Sequence, residues 1–217
     1  QFGVAIEKLP AVRDLLVDIK IAIEAGRALL YETSRIVDLE IGYSKRLANP
    51  PEDKDQAKQL KNLSRKYKRY AAMLTPMSKY YCSEMCNTVA YDSIQVLGGS
   101  GFMRDYACER HARDARITTI YEGTSQLQIV AAVRGVCSGT AEKFLTELTQ
   151  QNYEPQLKEL LEKLAEGTEQ LKKAVVFVKE QSNEYMDLYG RALVDIAIDL
   201  INGYLFCSQA STQVDMQ

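Results

Sequence analysis

Apolar residues recur every three or four positions along most of this 217-residue chain, and this spacing constrains the fold more than any other feature. In residues 10–41 they include Val12, Leu15, Ile19 and Ile23, which is close to the helical period. We find no segment with the alternation of apolar and polar residues that is typical of a half-buried strand. The sequence therefore predicts an all-α fold, in which long antiparallel helices joined by short links form a bundle.

Glycine and proline residues mark the expected ends of these helices. Pro10 suits a first helical position and Gly42 suits a stop, so the first helix is predicted over residues 10–41. Pro76 is expected to kink the second helical region or to restart it. The other helices are predicted over residues 53–75, 77–97, 106–116, 124–136 and 140–149, from Pro155 onwards, and over residues 184–208.

Charge and residue usage exclude several classes of function. The chain has 27 basic and 29 acidic residues, a formal net charge of -2, so no nucleic-acid partner is predicted. It has no uninterrupted apolar run of about 18 or more residues, so no membrane span is predicted. Five scattered cysteines indicate a reducing compartment rather than a disulfide framework. With His111 as the single histidine, no metal site is predicted.

A carboxylate stands in the short link between two predicted helices. Residues 120–126 read IYEGTSQ, and Thr124 and Ser125 are both good N-cap residues for the helix that follows. Glu122 has two interpretations at this point. It is either an acid presented to a cleft or an acid that the dipole of the following helix stabilises, and composition alone favours the second.

Three motifs occur together in a fixed order. They are QFG at residues 1–3, IQVLGGSGF at residues 94–102, and RDARI at residues 113–117 followed by IYEGTSQ at residues 120–126. On an all-helical background, this set resembles the C-terminal helical domain of the flavin-dependent acyl-CoA dehydrogenases. The resemblance covers residues 1 to about 137.

The resemblance implies that the chain is part of a longer enzyme. Members of the family also have an N-terminal helical domain and a central β-domain, which are absent from this sequence. Residues 1–138 are similar to the family's C-terminal bundle. Residues 139–217 are similar to the helical extension of very-long-chain and longer bacterial members, here incomplete and expected to pack within the subunit. The fragment alone is expected to fold but to be inactive and to bind FAD weakly or not at all.

The activity that the resemblance implies is the oxidation of an acyl-CoA to the trans-2-enoyl-CoA. Glu122 matches the family's base, which removes the α-proton while the β-hydrogen leaves as hydride to flavin N5. Such a base works in a water-poor cleft, because burial raises the pKa of a carboxyl group toward the working pH. Tyr121 and Gly123 match positions that line the slot for the acyl thioester.

FAD is the cofactor that the resemblance implies, and because it would be shared between subunits, the enzyme is expected to be at least a homodimer. Glycines in residues 95–99 would let backbone N–H groups approach phosphate oxygens, although an ordinary glycine cap explains the same residues. The residues that match cofactor-binding positions are Phe2, Gln95, Val96, Leu97, Gly98, Gly99, Thr124, Ser125 and Gln126.

Electron-transfer flavoprotein is the implied electron acceptor, and the implied location is the bacterial cytoplasm or the mitochondrial matrix. Two alternatives stay open. One is an acyl-CoA oxidase, which passes its electrons to oxygen, and the other is a non-catalytic helical scaffold or DNA-associated relative of the same fold. Glu122 argues against the scaffold, since a scaffold has no need of a carboxylate in this link. These residues do not determine the length of the acyl chain.

Overall fold

The computed structural model describes the backbone of residues 3–214 and the side chains of residues 3–212, so the predicted contact of Phe2 lies outside the described residues. Within this part of the chain there are eight α-helices and no strand, which confirms the all-α prediction. The helices are α1 (Pro10–Ala48), α2 (Lys54–Leu97), α3 (Gly99–Phe102), α4 (Cys108–Ala115), α5 (Ser125–Cys137), α6 (Thr140–Thr149), α7 (Lys158–Gln181) and α8 (Asn183–Val214). Short 3₁₀ turns occupy Ile6–Lys8, Arg116–Thr119 and Pro155–Leu157.

The chain divides into two compact units. The first comprises Gln1–Arg27 and Lys79–Ser125, and the second comprises Ala28–Ser78 and Gln126–Gln217. The boundary that the sequence places after residue 138 stays a prediction. Within the described part of the chain, no helix combines the length and the apolar character needed to cross a bilayer.

The helix predicted to stop at Gly42 continues to Ala48, so that prediction is wrong. A Cβ atom at Gly42 would meet nothing within 4 Å, so no neighbouring atom forces the helix to end at this residue. The next residue, Tyr43, stacks on Tyr67 of α2 with ring centroids 5.2 Å apart. This contact stabilises the added turns against the cost of a glycine inside a helix, which is about 1 kcal/mol relative to alanine.

Pro76 lies inside one continuous helix, so the helix does not restart there. Proline removes a backbone donor and costs a helix interior about 3 kcal/mol. Pro76 is buried, and its neighbours Leu74 and Met77 are both 0% exposed. Burial of this stretch offsets the lost hydrogen bond, and no local signal in the sequence reveals that burial.

The core of the second unit consists of leucine, isoleucine and other apolar side chains from several helices. Each fully buried leucine or isoleucine contributes roughly 1.5–3 kcal/mol. Large side chains with no more than 1% exposure include Leu29, Ile129, Leu145, Ile198 and Ile201. Helix α6 packs on α2 in this core, because the Phe144 ring meets the Tyr70 ring edge-on at 5.1 Å.

Helices α7 and α8 approach each other closely at Gly203. A Cβ atom at this position would lie 2.5 Å from Cδ2 of Leu164, which is closer than two carbon atoms pack. The absence of a side chain therefore lets Leu164 of α7 lie against the backbone of α8.

The first unit has a smaller apolar core. Its described buried apolar residues are Ala25, Tyr80, Ala90 and Ala115. Large apolar side chains on its surface include Phe102, Ile117 and Tyr121, which are 76%, 53% and 50% exposed.

Tyr153 is expected to make the stability of the second unit fall as the pH becomes alkaline. Its hydroxyl donates to the carbonyl of Leu148 at 2.7 Å, and burial raises the pKa of Tyr153 to about 12. An unfolded tyrosine has a pKa of about 10, so its contribution is full below about pH 10 and is lost as the pH rises to about 12. We expect Tyr153→Phe to lose stability less steeply than the parent over this range. Urea unfolding at several alkaline pH values measures the slope, and Tyr31→Phe, at an exposed site, should follow the parent.

Candidate functional site

Glu122 lies between the 3₁₀ turn Arg116–Thr119 and α5, in a link as predicted. Its backbone φ is 52° and that of Gly123 is 94°, so two successive residues are left-handed. No other non-glycine residue in the described part of the chain has a positive φ. This conformation costs an ordinary residue about 1–2 kcal/mol, and such outliers cluster at functional sites. Contacts from elsewhere in the fold therefore hold Glu122 in a conformation that its local sequence disfavours.

The link lies at the surface of the described chain. Glu122 and Tyr121 are exposed, and Gly123 is half-buried. The sequence predicted a water-poor cleft around this carboxylate, and the described residues do not enclose one there.

Lys79 of α2 holds the link at both ends. Its Nζ donates to the carbonyl oxygen of Thr118 at 2.8 Å and to that of Gly123 at 2.9 Å. The same ammonium group lies 5.5 Å from the centroid of the Tyr121 ring, within cation–π distance. Hydrogen bonds from a charged donor are roughly twice as strong as neutral ones. One side chain thus ties together the backbone on either side of Glu122.

Asn87, on the same face of α2, holds the turn that precedes the link. Its Nδ2 donates to the carbonyl of Ala115 at 2.9 Å and to that of Ser83 at 2.8 Å. Thr118 Oγ1 donates to the Ala115 carbonyl at 2.7 Å. The helical spacing of Lys79, Ser83 and Asn87 puts all three on one side of α2. Sequence reasoning missed this polar face, although polar residues at i, i+4 and i+8 of a predicted helix were its signal.

The glycine pair after α2 has the cap conformation that the sequence allowed. Gly98 has a φ of 58°, and its N–H donates to the Gln95 carbonyl at 3.2 Å. Gly99 begins α3, and a Cβ atom at either glycine would meet nothing within 4 Å. The backbone is therefore open to an approaching group at this point. Val96 and Leu97 are half-buried in the last turn of α2.

Ser125 is the first residue of α5 and is 7% exposed. Its Oγ is buried without a hydrogen-bond partner, which costs a hydroxyl about 1–3 kcal/mol. Thr124, in the N-cap position, and Gln126 are exposed. A helix N-terminus favours an anion, so an acceptor atom here would also satisfy the Ser125 hydroxyl.

Two family models match consecutive parts of this chain. The acyl-CoA dehydrogenase C-terminal domain matches residues 56–136, and the acyl-CoA dehydrogenase C terminal matches residues 137–216. The chain belongs to the acyl-CoA dehydrogenase family. The match includes the glycine pair, the polar face of α2 and the Glu122 link, which therefore lie in a region shared with the family.

Curated relatives support this membership. The chain is 30% identical over 128 residues to the caffeyl-CoA reductase-Etf complex subunit CarC of Acetobacterium woodii, over 59% of this chain and 26% of that protein. It is 32% identical over 127 residues to the mitochondrial short-chain specific acyl-CoA dehydrogenase of Bos taurus, over 58% of this chain and 24% of that protein. The chain thus spans about a quarter of the length of these family members.

A solved structure of the family has the same fold. The acyl-CoA dehydrogenase from Bacillus anthracis, described as complexed with FAD, matches 94% of this chain and 34% of its own with a TM-score of 0.63. The two sequences are 22% identical. The likeness extends the shared fold to nearly all of this chain.

Proposed function

We propose that this chain is part of an FAD-dependent acyl-CoA dehydrogenase that converts an acyl-CoA to the trans-2-enoyl-CoA, with Glu122 as the base that removes the α-proton. The observation that carries the proposal is the conformation of Glu122. Its backbone is in the left-handed region, and Lys79 bonds the link on both sides of it. This link lies in the region that matches the family.

Glu122 suits proton abstraction if the link presents it to the substrate. The C–H group next to a thioester is a weak acid, so its base must be ionised and held at hydrogen-bond distance. The paired contacts of Lys79 restrict the backbone from which the carboxylate projects. We propose that Tyr121 and Gly123, on either side of the base, line the slot for the acyl thioester.

The residues at two places fit FAD. Gly98 and Gly99 leave the backbone open to a phosphate oxygen, and Ser125 offers a buried, unpartnered hydroxyl at the N-terminus of α5. When bound, FAD supplies the acceptor for the β-hydrogen. We propose that these residues hold its phosphate-bearing part, together with the other matching positions, namely Gln95, Val96, Leu97, Thr124 and Gln126.

The remaining surfaces of the cleft are proposed to come from other parts of the protein or from a second subunit. Glu122 is exposed in this chain, and the first unit exposes large apolar side chains such as Phe102 and Ile117. The chain spans about a quarter of its curated relatives, so the isolated chain is expected to be inactive. The name of CarC places that relative in a complex with Etf, which supports electron-transfer flavoprotein as the electron acceptor here.

Anaerobic mixing of the intact enzyme with acyl-CoAs of increasing chain length tests the proposed function. We expect at least one of them to bleach the oxidised flavin, because the β-hydrogen that leaves as hydride carries two electrons to the flavin once the α-proton is removed. The absorbance of the flavin measures this step. Electron-transfer flavoprotein should then reoxidise the flavin faster than oxygen does, whereas rapid reoxidation by oxygen would indicate the oxidase. Bleaching by none of the acyl-CoAs would contradict the proposal and favour a scaffold.

A further inference from the structure

We infer that Lys79 is a positioning residue for the base, and this inference rests on the proposed role of Glu122. Lys79 lies on α2, outside the link, and bonds backbone carbonyl groups of the link. Its Nζ bonds the carbonyl oxygens of Thr118 and Gly123, which precede and follow Glu122. The two bonds bracket the segment that contains the base and set the position of both of its ends.

The conformation of the link explains why such a tether is needed. Glu122 has a φ of 52°, a region that residues other than glycine rarely adopt, and Gly123 follows with a φ of 94°. A strained backbone of this kind persists when the surrounding structure over-determines it. The link and the side chain of Glu122 lie at the surface of the described chain. The bonds from Lys79 supply restraint from the interior side.

The chemistry of the lysine side chain suits this task. An ammonium group has three donors and accepts no hydrogen bond, so it can bond two carbonyls at once. Two donors are used on Thr118 and Gly123, and the ring of Tyr121 faces the charge at 5.5 Å. The single ammonium group therefore contacts residues before Glu122, next to it and after it.

Helix α2 is a rigid support for this tether. One turn further along, the Ser83 hydroxyl donates to the Lys79 carbonyl at 2.6 Å, within the helix. Two turns along, Asn87 bonds the Ala115 carbonyl and so fixes the end of α4. Sites supported by helices hold their geometry better than sites supported by loops alone. The polar face of α2 thus positions the turn before the link and the link itself.

A positioning role has a kinetic signature that a purely stabilising role lacks. If Lys79 sets the direction from which Glu122 approaches the α-carbon, its loss should lower kcat more than it raises KM. Misplacing a reacting group by about 1 Å costs a rate on the order of 100-fold. A residue that only stabilises the fold would leave both constants unchanged in the molecules that remain folded.

The test uses Lys79→Met and Lys79→Arg in the intact enzyme, with Lys68→Met, at an exposed lysine of the same helix, as the matched control. We expect the Met variant to lower the rate of flavin bleaching at saturating acyl-CoA on the order of 100-fold, with KM within about threefold of the parent. The Arg variant keeps a charged donor and should recover much of the rate. Lys68→Met should match the parent. The visible spectrum of the bound flavin and the Tm of each variant are measured beside the kinetics.

Parent kcat in a folded Lys79→Met enzyme would overturn the inference. If that variant yields no folded holoenzyme, Lys79→Gln decides in the same way, because its shorter, uncharged side chain cannot hold both carbonyl groups as the ammonium group does. Glu122→Gln, tested in parallel, separates this inference from the proposed function. Retained bleaching in Glu122→Gln would show that Glu122 is not the base, and it would overturn this inference as well. Lost bleaching in Glu122→Gln beside parent kcat in Lys79→Met would overturn only the role of Lys79.

Discussion

Replacement of Glu122 by glutamine is expected to abolish the bleaching of flavin by acyl-CoA in the intact enzyme while leaving FAD bound. Glutamine has nearly the same size and shape, so the link and its contacts with Lys79 should persist. It has no carboxylate to accept the α-proton, and loss of a general base costs a rate of about 100-fold to 10,000-fold. Stopped-flow absorbance under anaerobic conditions measures the rate, and the spectrum of the unreacted enzyme measures the bound FAD.

Two further variants make this result specific. Glu122→Asp keeps the charge but withdraws the carboxylate by one methylene group, so it should retain part of the rate. Glu166→Gln changes an exposed glutamate of α7 and should leave the rate unchanged. A Glu122→Gln enzyme that bleaches at the parent rate would show that another group removes the proton.

Phe144→Ala is expected to lower the free energy of unfolding of the chain by about 3–5 kcal/mol, the usual cost of removing a buried aromatic ring. Phe144 is 2% exposed and meets Tyr70 edge-on, with ring centroids 5.1 Å apart. The Tyr70 hydroxyl donates to Glu147 Oε1 at 2.7 Å, and Glu147 also pairs with Lys66. Loss of the Phe144 ring leaves a cavity beside this network and removes the aromatic contact between α6 and α2.

The matched control is Phe177→Ala, because Phe177 is also a phenylalanine of a helix but is 54% exposed. Its ring meets the Tyr185 ring edge-on at a centroid distance of 6.1 Å and is largely exposed, so its loss should cost no more than about 1 kcal/mol. Urea unfolding followed by circular dichroism compares the two variants with the parent. Equal losses from both would contradict the packing of α6 on α2 described here.

Local patterns predicted the helices well because each pattern reports on its own segment. The helix predicted over residues 140–149 is Thr140–Thr149 in the structure, and the helix predicted from residue 124 begins at Ser125. Gly42 does not stop its helix and Pro76 does not restart one, because a glycine or a proline reports only the local cost of a helix. Stacking at Tyr43 and burial around Pro76 outweigh that cost, and both depend on residues far along the chain.

The candidate site was predictable only in part for the same reason. The motif around Glu122 is continuous in sequence, so its place in a link between helices could be predicted. Lys79 was missed because its partners, Thr118 and Gly123, lie 39 and 44 residues further along. The left-handed φ of Glu122 could not be predicted either, since glutamate has no local preference for that region.

The sequence by itself determined the all-α class, the family and the position of a carboxylate between two helices, because periodicity and short motifs are local properties of the chain. The tertiary structure alone decided which residue of α2 holds that carboxylate's link, and that the carboxylate is exposed among the described residues. Hydrogen bonds across 39 and 44 residues, and the exposure of a side chain, arise only when distant segments pack together.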